Sequence, residues 1–262
     1  MPSLREPCTD KQNVTSIAKS LGVPVPESVC IEDDKHILKH GLTYPVFIKP
    51  NSTDGSFGLL FCPFFRCTRC DDVALWLNGL FFFFFSRVLL DILLGIVAGI
   101  TAKSVCHCDA DVLDALHDIR HRFTLLGPVL VQEYLDGIDV NVGVIGADLT
   151  VLPITEEDYS ALPADLPKIC GFESKWDESS PYWQLSSRPT TLTAKQQQKV
   201  GNWSQQLFKR LDAHDYARFD WRMDANHQPR FIEANPNCGW CWDGHLVLFF
   251  FILHKKRKKP RC

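Results

Sequence analysis

The chain has 262 residues, 45% hydrophobic and 23% charged, with a formal net charge of -3 at pH 7. That is ordinary globular composition, enough for one large domain or two lobes around a cleft, with no global field to argue for nucleic acid or an anionic membrane as partner. A small molecule is the expected ligand. The eleven cysteines are odd in number, and Met1-Pro2-Ser3-Leu4-Arg5-Glu6 lacks the apolar core of a signal peptide, so reduced thiols in the cytoplasm are expected. Cys62, Cys67 and Cys70 have no evident fourth zinc ligand, and the Cys238-Gly239-Trp240-Cys241 spacing follows a carboxylate-rich strand where a redox motif would open a helix.

Thr9-Asp10-Lys11-Gln12 has the form of a helix start in which Thr9 caps and Gln12 closes the box. Val14, Ile17, Ala18 and Leu21 then recur at helical spacing until Gly22 stops the helix. Residues 44–50 read as a short buried strand ending at Pro50, followed by a polar, glycine-bearing loop over 51–58. From Leu59 to Gly99 the composition turns abruptly to Phe, Leu and Cys. Residues 80–100 are long enough to cross a bilayer, but Arg87 and Asp91 fall near the middle, each costing about 2.5 to 3.5 kcal/mol there. Anchoring through this segment is the competing expectation to a protein without a membrane partner. Residues 101–105 alternate like a strand, and 109–123 read as a helix with Val112, Leu116, Ile119 and Phe123 on one side.

Residues 129–135 read as a buried strand and 139–144 as a half-buried one. The polar, proline-rich stretch 153–183 is long for a connection and suggests a functional loop or lid. A helix over 193–213 precedes strands at 216–223 and 230–235. The final apolar run, 246–253, is too short to span a membrane and leads into a basic tail.

The strands at 216–223 and 230–235 carry the richest chemistry. With the turn centred between Asn226 and His227, Asp220 stands opposite Glu233, and Asn235 shares the face of Glu233 because the strand period is two. Facing carboxylates repel unless something positive lies between them. Two readings remain open: a hard-oxygen site suited to magnesium, or a solvated polar face on which Arg218 and Arg222 neutralise the acids.

The run Arg218-Phe219-Asp220 followed by Glu233-Ala234-Asn235-Pro236 resembles the metal-binding end of the ATP-grasp ligases, particularly the D-alanine–D-alanine ligase group. The resemblance extends in chain order over residues 9–58 and 100–245. It implies an α+β fold of two lobes, with mostly antiparallel sheets and helices, clamping ATP between them. It also implies that Asp220, Glu233 and Asn235 hold magnesium, or manganese in its place, at the ATP phosphates. Lys11 and Lys49 resemble the two phosphate-reaching lysines, and a rigid strand delivering one point charge suits that task. The loop holding Ser56 and Gly58 resembles the one that covers the phosphates. Gln132, Glu133 and the Leu135 backbone resemble the hinge at the adenine edge; the family usually has glutamate where Gln132 stands, so the backbone contacts are what carries over. Asp139 resembles the ribose acceptor, Lys175 the loop lysine at the terminal phosphate, and Arg218 the arginine that stabilises the tetrahedral intermediate.

The reaction so implied is amide-bond formation: ATP converts a small carboxylate into an acyl phosphate, and an amine displaces phosphate, with amino acids or dipeptides as substrates. Positioning and charge neutralisation carry such chemistry. Three departures stand out. Only residues 1–8 precede Thr9, where the family has a domain contributing to the substrate site. Removing 59–99 would join Gly58 to Ile100 and restore the family's loop-to-strand order, as expected of a retained intron or gene-model error. Beyond Asn237 the family's substrate turn and final helix are replaced by the apolar and basic tail, 246–262.

Overall fold

The structure is a computed structural model that describes residues 10–52, 100–122, 127–236 and Cys238. Thr9, Ser56, Gly58, the whole 59–99 segment and the 246–262 tail lie outside the described residues.

The first lobe is a four-stranded antiparallel sheet of β1 (Ser28–Ile31), β2 (Val46–Pro50), β3 (Val105–Cys106) and β4 (Val129–Glu133), in the order β1-β4-β2-β3. Strand alternation sorts its side chains. Val46 and Ile48 of β2 and Val129 and Val131 of β4 join Val112, Ala115 and Leu116 of the helix Asp109–His117 in one core. Phe47, Lys49 and Gln132 belong to the other face. The helix expected over 109–123 keeps α geometry only to His117 and continues as a wider π turn, Asp118–Arg122, that still buries Ile119. Nor do residues 101–105 form a strand throughout. The Ser104 side chain accepts the Thr101 amide at 3.0 Å and curls Ala102–Ser104 into a 3-10 turn, leaving β3 only Val105–Cys106.

The second sheet runs β10-β9-β5-β7-β8 through β5 (Asp139–Ile145), β7 (Thr155–Asp158), β8 (Ser186–Pro189), β9 (Tyr216–Met223) and β10 (Pro229–Asn235), with β6 (Thr150–Val151) paired to β5. Every pair is antiparallel. One face is the main core: Val140, Val142, Val144, Phe219, Trp221 and Phe231 pack under a long helix, Ala194–Arg210. Thr193 and Gln196 cap that helix reciprocally, and the Trp221 indole donates to Ser204 at 3.1 Å. Full burial of side chains such as Phe219 and Phe231 contributes about 1.5 to 3 kcal/mol each. β5 is not half-buried as its alternation suggests; Val140 through Val144 are all buried. Its apolar face meets the core, and on its polar face Asn141 Nδ2 donates to Glu157 of β7 at 3.3 Å.

The first helix of the chain, Lys11–Ser20, packs on this second lobe through Val14 and Ala18. Its cap is Asp10, which accepts the Asn13 amide at 3.0 Å, in place of the expected Thr9. Gly22, at φ +70°, closes it in the left-handed region glycine favours.

The stretch 153–183 is more ordered than its composition suggests. It holds β7, a short helix Phe172–Trp176 and a 3-10 turn Pro181–Gln184. Ile169 and Tyr182 bury themselves against Val105 of the first lobe. The Phe172 amide donates to the Ile100 carbonyl at 2.8 Å, and the Ala102 amide to Glu173 at 3.0 Å, so this connection bridges the lobes. Among the described residues no helix is long and apolar enough to cross a membrane.

Candidate nucleotide and metal site

A cleft of about 240 Å³ lies between the lobes. Lys11 and Lys49 meet in it, although they stand on different lobes. Asn51, two residues beyond Lys49, makes the link: its carbonyl accepts the Lys11 amide at 3.1 Å and its side chain the Gln12 amide at 2.9 Å, while its Nδ2 donates to Asp10 at 3.0 Å. These are orphan donors at the start of a helix, satisfied by the end of β2. The sequence placed Asn51 at the start of a phosphate-covering loop; its polar groups are instead engaged in clamping helix to strand.

Lys49 is 2% exposed. Burial pushes its pKa down from 10.5 to about 8, against the pull of Glu233, while Lys11 adds to the depression and Asp220 and Asp139 oppose it. Its ammonium stands 5.9 Å from the Phe47 ring centroid. Such a strongly desolvated cation, aimed at a cleft, marks a functional-site candidate.

On the second lobe one sheet face supplies the polar floor. β5 brings Asp139 and Asn141; β9 brings Arg222, Asp220 and Arg218; β10 brings Glu233 and Asn235. Asp220 stands opposite Glu233, as expected, but by a different route. The hairpin pairs Pro229 with Met223, Arg230 with Arg222 and Phe231 with Trp221, a register centred on Asn226 that would set Ile232 against Asp220. A bulge between Phe231 and Glu233 inserts Ile232 and restores the Glu233–Asp220 pairing.

The expected repulsion between the two carboxylates is already compensated. Arg218 donates to both oxygens of Asp220, at 2.7 and 2.9 Å, and Asn235 Nδ2 donates to Asp220 at 2.8 Å and Glu233 at 3.3 Å. Burial opposes ionisation of Glu233, but Lys11, Lys49 and Arg218 outweigh it and hold its pKa below the ordinary value. Burial likewise works against the Arg218 charge, and Asp220 overrides it, raising the pKa. This is no solvated face: Arg218 and Asp220 side chains are each 21% exposed. Among the described residues no three His, Cys, Asp or Glu side chains group as a metal site. Two carboxylates and a carboxamide oxygen beside three cations form a hard-oxygen set that fits magnesium when phosphate and water supply the remaining ligands.

Gln132, Glu133 and Leu135 line the hinge side of the cleft, and Lys175, exposed on the short helix Phe172–Trp176, lines its outer side. The Glu133 carboxylate is turned to the Glu27 amide at 3.3 Å. Asp139 lines the cleft but is engaged: Arg222 Nη1 donates to its two oxygens at 3.0 and 2.8 Å, and the Tyr159 hydroxyl donates to Oδ2. Burial raises its pKa against the pull of Arg222. Asn235 sits behind Asp220 and Glu233, bonded to both. Sequence reasoning did not single out Phe47, Tyr134, Glu157 or Ile169 as lining residues. Period-two alternation from Lys49 identifies Phe47, and alternation from Asp139 would have required knowing that β7 is its neighbour.

Residues 107–242 match the family described as D-ala D-ala ligase C-terminus. Among curated proteins, "Uncharacterized protein y4sG" of Sinorhizobium fredii is 30% identical over 124 residues, 45% of this chain and 34% of that protein. Among solved structures, the D-alanine–D-alanine ligase of Bacillus anthracis complexed with ATP superposes with a TM-score of 0.59 at 15% identity, covering 95% of this chain and 61% of that one. The VanG D-Ala:D-Ser ligase of Enterococcus faecalis gives 0.60 at 20% identity, covering 93% and 56%. The chain thus spans about a third of the curated relative and about three fifths of the solved ligases. With the family match extending over more than half its residues and an ATP-grasp-like fold of two antiparallel sheets, the chain belongs to the D-ala D-ala ligase C-terminus family.

Proposed function

We propose that the chain binds ATP and magnesium in the cleft between its lobes and serves an ATP-dependent carboxylate–amine ligase reaction. The observation that supports this most is the convergence of Lys11, Lys49 and Arg218 with Asp220, Glu233 and Asn235, beside a hinge formed by Gln132, Glu133 and Leu135. The hinge carries the adenine edge, with Phe47 and Ile169 as apolar walls, and Asp139 receives the ribose. Lys11, Lys49 and Lys175 gather the phosphate charge, and Asp220, Glu233 and Asn235 would hold magnesium, which when bound neutralises charge developing on the phosphates. The γ-phosphoryl group passes to a substrate carboxylate, leaving ADP and an acyl phosphate. An amine then attacks the acyl carbon, phosphate departs, Arg218 steadies the negative charge on the tetrahedral oxygen, and the amine's extra proton leaves with solvent.

In this reading residues 9–58 and 100–245 form the ATP-grasp domain, interrupted by 59–99 and followed by the atypical 246–262 tail. The substrates are amino acids or dipeptides, and free thiols at Cys30, Cys106, Cys108, Cys170 and Cys238 agree with a cytoplasmic setting. Phosphate release from ATP, assayed over a panel of amino acids and dipeptides with magnesium present, tests the proposal. Stimulation by at least one pair is expected; ATP binding without stimulation by any would reduce the role to nucleotide binding.

A further inference from the structure

Arg222 stands two residues beyond Asp220 on β9, and its guanidinium is heavily engaged. Nε donates to the Leu135 carbonyl, Nη1 to both oxygens of Asp139 at 3.0 and 2.8 Å, and Nη2 to the Lys168 carbonyl and to the Tyr134 hydroxyl, the last at 3.4 Å. Its carbon lies 5.2 Å from the Tyr134 ring centroid. All three nitrogens are thus committed to protein groups, and only a planar, five-donor fork can reach this set at once. Arg222 is not available to hold a phosphate, even though it faces the cleft.

Its partners come from three parts of the chain. Tyr134 and Leu135 follow β4 at the hinge, Asp139 opens β5, and Lys168 belongs to the connection that goes on to Gly171 and the helix bearing Lys175. Hinge and strand are in close contact here, because a Cβ on Gly137 would come within 2.1 Å of the Met223 carbonyl oxygen. From the other side, the Tyr159 hydroxyl donates to Asp139. A carboxylate offers about four lone-pair positions. Arg222 and Tyr159 occupy up to three, so what Asp139 can still accept is confined in direction.

We propose that Arg222 is a positioning residue for the sugar end of the nucleotide: with Tyr159 it fixes the Asp139 carboxylate so that its remaining lone pair accepts from one ribose hydroxyl, and through Lys168 it ties that geometry to the connection bridging the lobes. This rests on the ATP reading above. It makes Arg222 a determinant of ribonucleotide preference that acts through Asp139. Lysine cannot replace it, since one ammonium cannot hold both carboxylate oxygens and three further acceptors.

The test is calorimetric titration, with magnesium, of ATP, 2′-deoxy-ATP, 3′-deoxy-ATP and inorganic tripolyphosphate into the wild-type protein, Arg222→Lys and Tyr159→Phe. Wild-type protein should prefer ATP over one of the two deoxy analogues by about tenfold or more, one charge-assisted hydrogen bond. Arg222→Lys should weaken ATP by about tenfold and leave the disfavoured deoxy analogue and tripolyphosphate within about threefold, so the preference collapses. Tyr159→Phe, which removes one donor and leaves the ion pair, should move the preference the same way by less, and it decides the matter if Arg222→Lys does not fold. A wild-type protein without ribose preference, variants that keep it, or a loss of ATP and tripolyphosphate in equal measure would overturn the proposal while leaving ATP binding intact. Absence of ATP binding by the wild-type protein would overturn the nucleotide reading and this one together.

Discussion

Replacing Lys49 by Met removes the most desolvated cation of the cleft while keeping an unbranched side chain of similar length. Lys49 has its pKa lowered by burial from 10.5 to about 8, a value that already includes the attraction of Glu233, Asp220 and Asp139. At about 1.36 kcal/mol per pH unit, holding this ammonium in the ligand-free fold costs about 3 kcal/mol at pH 7. Lys49→Met should therefore be more stable than wild type by about that amount, roughly 6 to 12 °C in Tm for a domain of this size. The sign of the pH dependence follows. Between about pH 8 and 10.5 the unfolded chain holds the proton and the folded chain does not, so wild-type stability rises with pH and the advantage of Met should narrow to about 1 kcal/mol by roughly pH 9.5. The same substitution should weaken ATP by about ten- to a hundredfold through loss of a charge-assisted contact. Urea melts at the two pH values, with ATP titrations alongside, measure all of this. A variant destabilised by several kcal/mol at pH 7, or a stability gap that does not change with pH, would refute the view that Lys49 is held at the expense of the fold for the sake of a ligand.

Glu233→Gln reports on the opposite charge. Because Lys11, Lys49 and Arg218 hold the Glu233 pKa below 4.5 against burial, the carboxylate contributes stability above that pH and loses it as pH falls through the folded value. The variant should be less stable than wild type at pH 7 and show a flatter acid limb in pH-dependent melts; a more stable variant would restore the repulsion picture drawn from sequence alone. Gly137→Ala would set a Cβ 2.1 Å from the Met223 carbonyl oxygen and 2.7 Å from the Met223 Cβ, so a loss of about 1 to 3 kcal/mol by denaturant titration is expected from overpacking. Glu156→Gln should cost about 2 kcal/mol, since this buried carboxylate accepts from Arg188 Nε at 2.9 Å, the Thr191 amide at 2.8 Å and the Thr190 hydroxyl at 3.1 Å. It pairs outside the cleft, so ATP affinity should be unchanged, and a parallel loss of ATP binding would move Glu156 into the site.

Local pattern made much of this architecture legible. Apolar spacing identified the first helix, and a helix expected over 193–213 is found at Ala194–Arg210. Period two set Arg218 with Asp220 on one strand and Glu233 with Asn235 on the other, and an assumed turn between Asn226 and His227 brought the two pairs to one face. The register itself was not legible. A turn centred on Asn226 and a bulge at Ile232 cancel each other, and nothing in the residue types of Phe231-Ile232-Glu233 announces a bulge. The burial of β5 on both faces escaped the alternation test because the groups that engage Asp139 and Asn141, namely Arg222, Tyr159 and Glu157, come from other parts of the chain, a tertiary fact. For the same reason Arg222 read as a neutraliser on an acidic surface, since its partners Tyr134, Leu135, Asp139 and Lys168 are all more than fifty residues away in the chain. Asn51 was misread by chain context. A polar residue after a strand suggests a loop, and only the packing of the first helix against that point reveals its capping role.

The most direct measurement is a calorimetric titration of ATP into the purified protein with and without magnesium, repeated on Glu233→Gln. Magnesium-dependent ATP binding by the wild-type protein, with the magnesium dependence lost in the variant, is the expected result. No ATP binding, or binding of equal strength with and without magnesium in both proteins, would contradict the assignment of the cleft as an ATP and metal site.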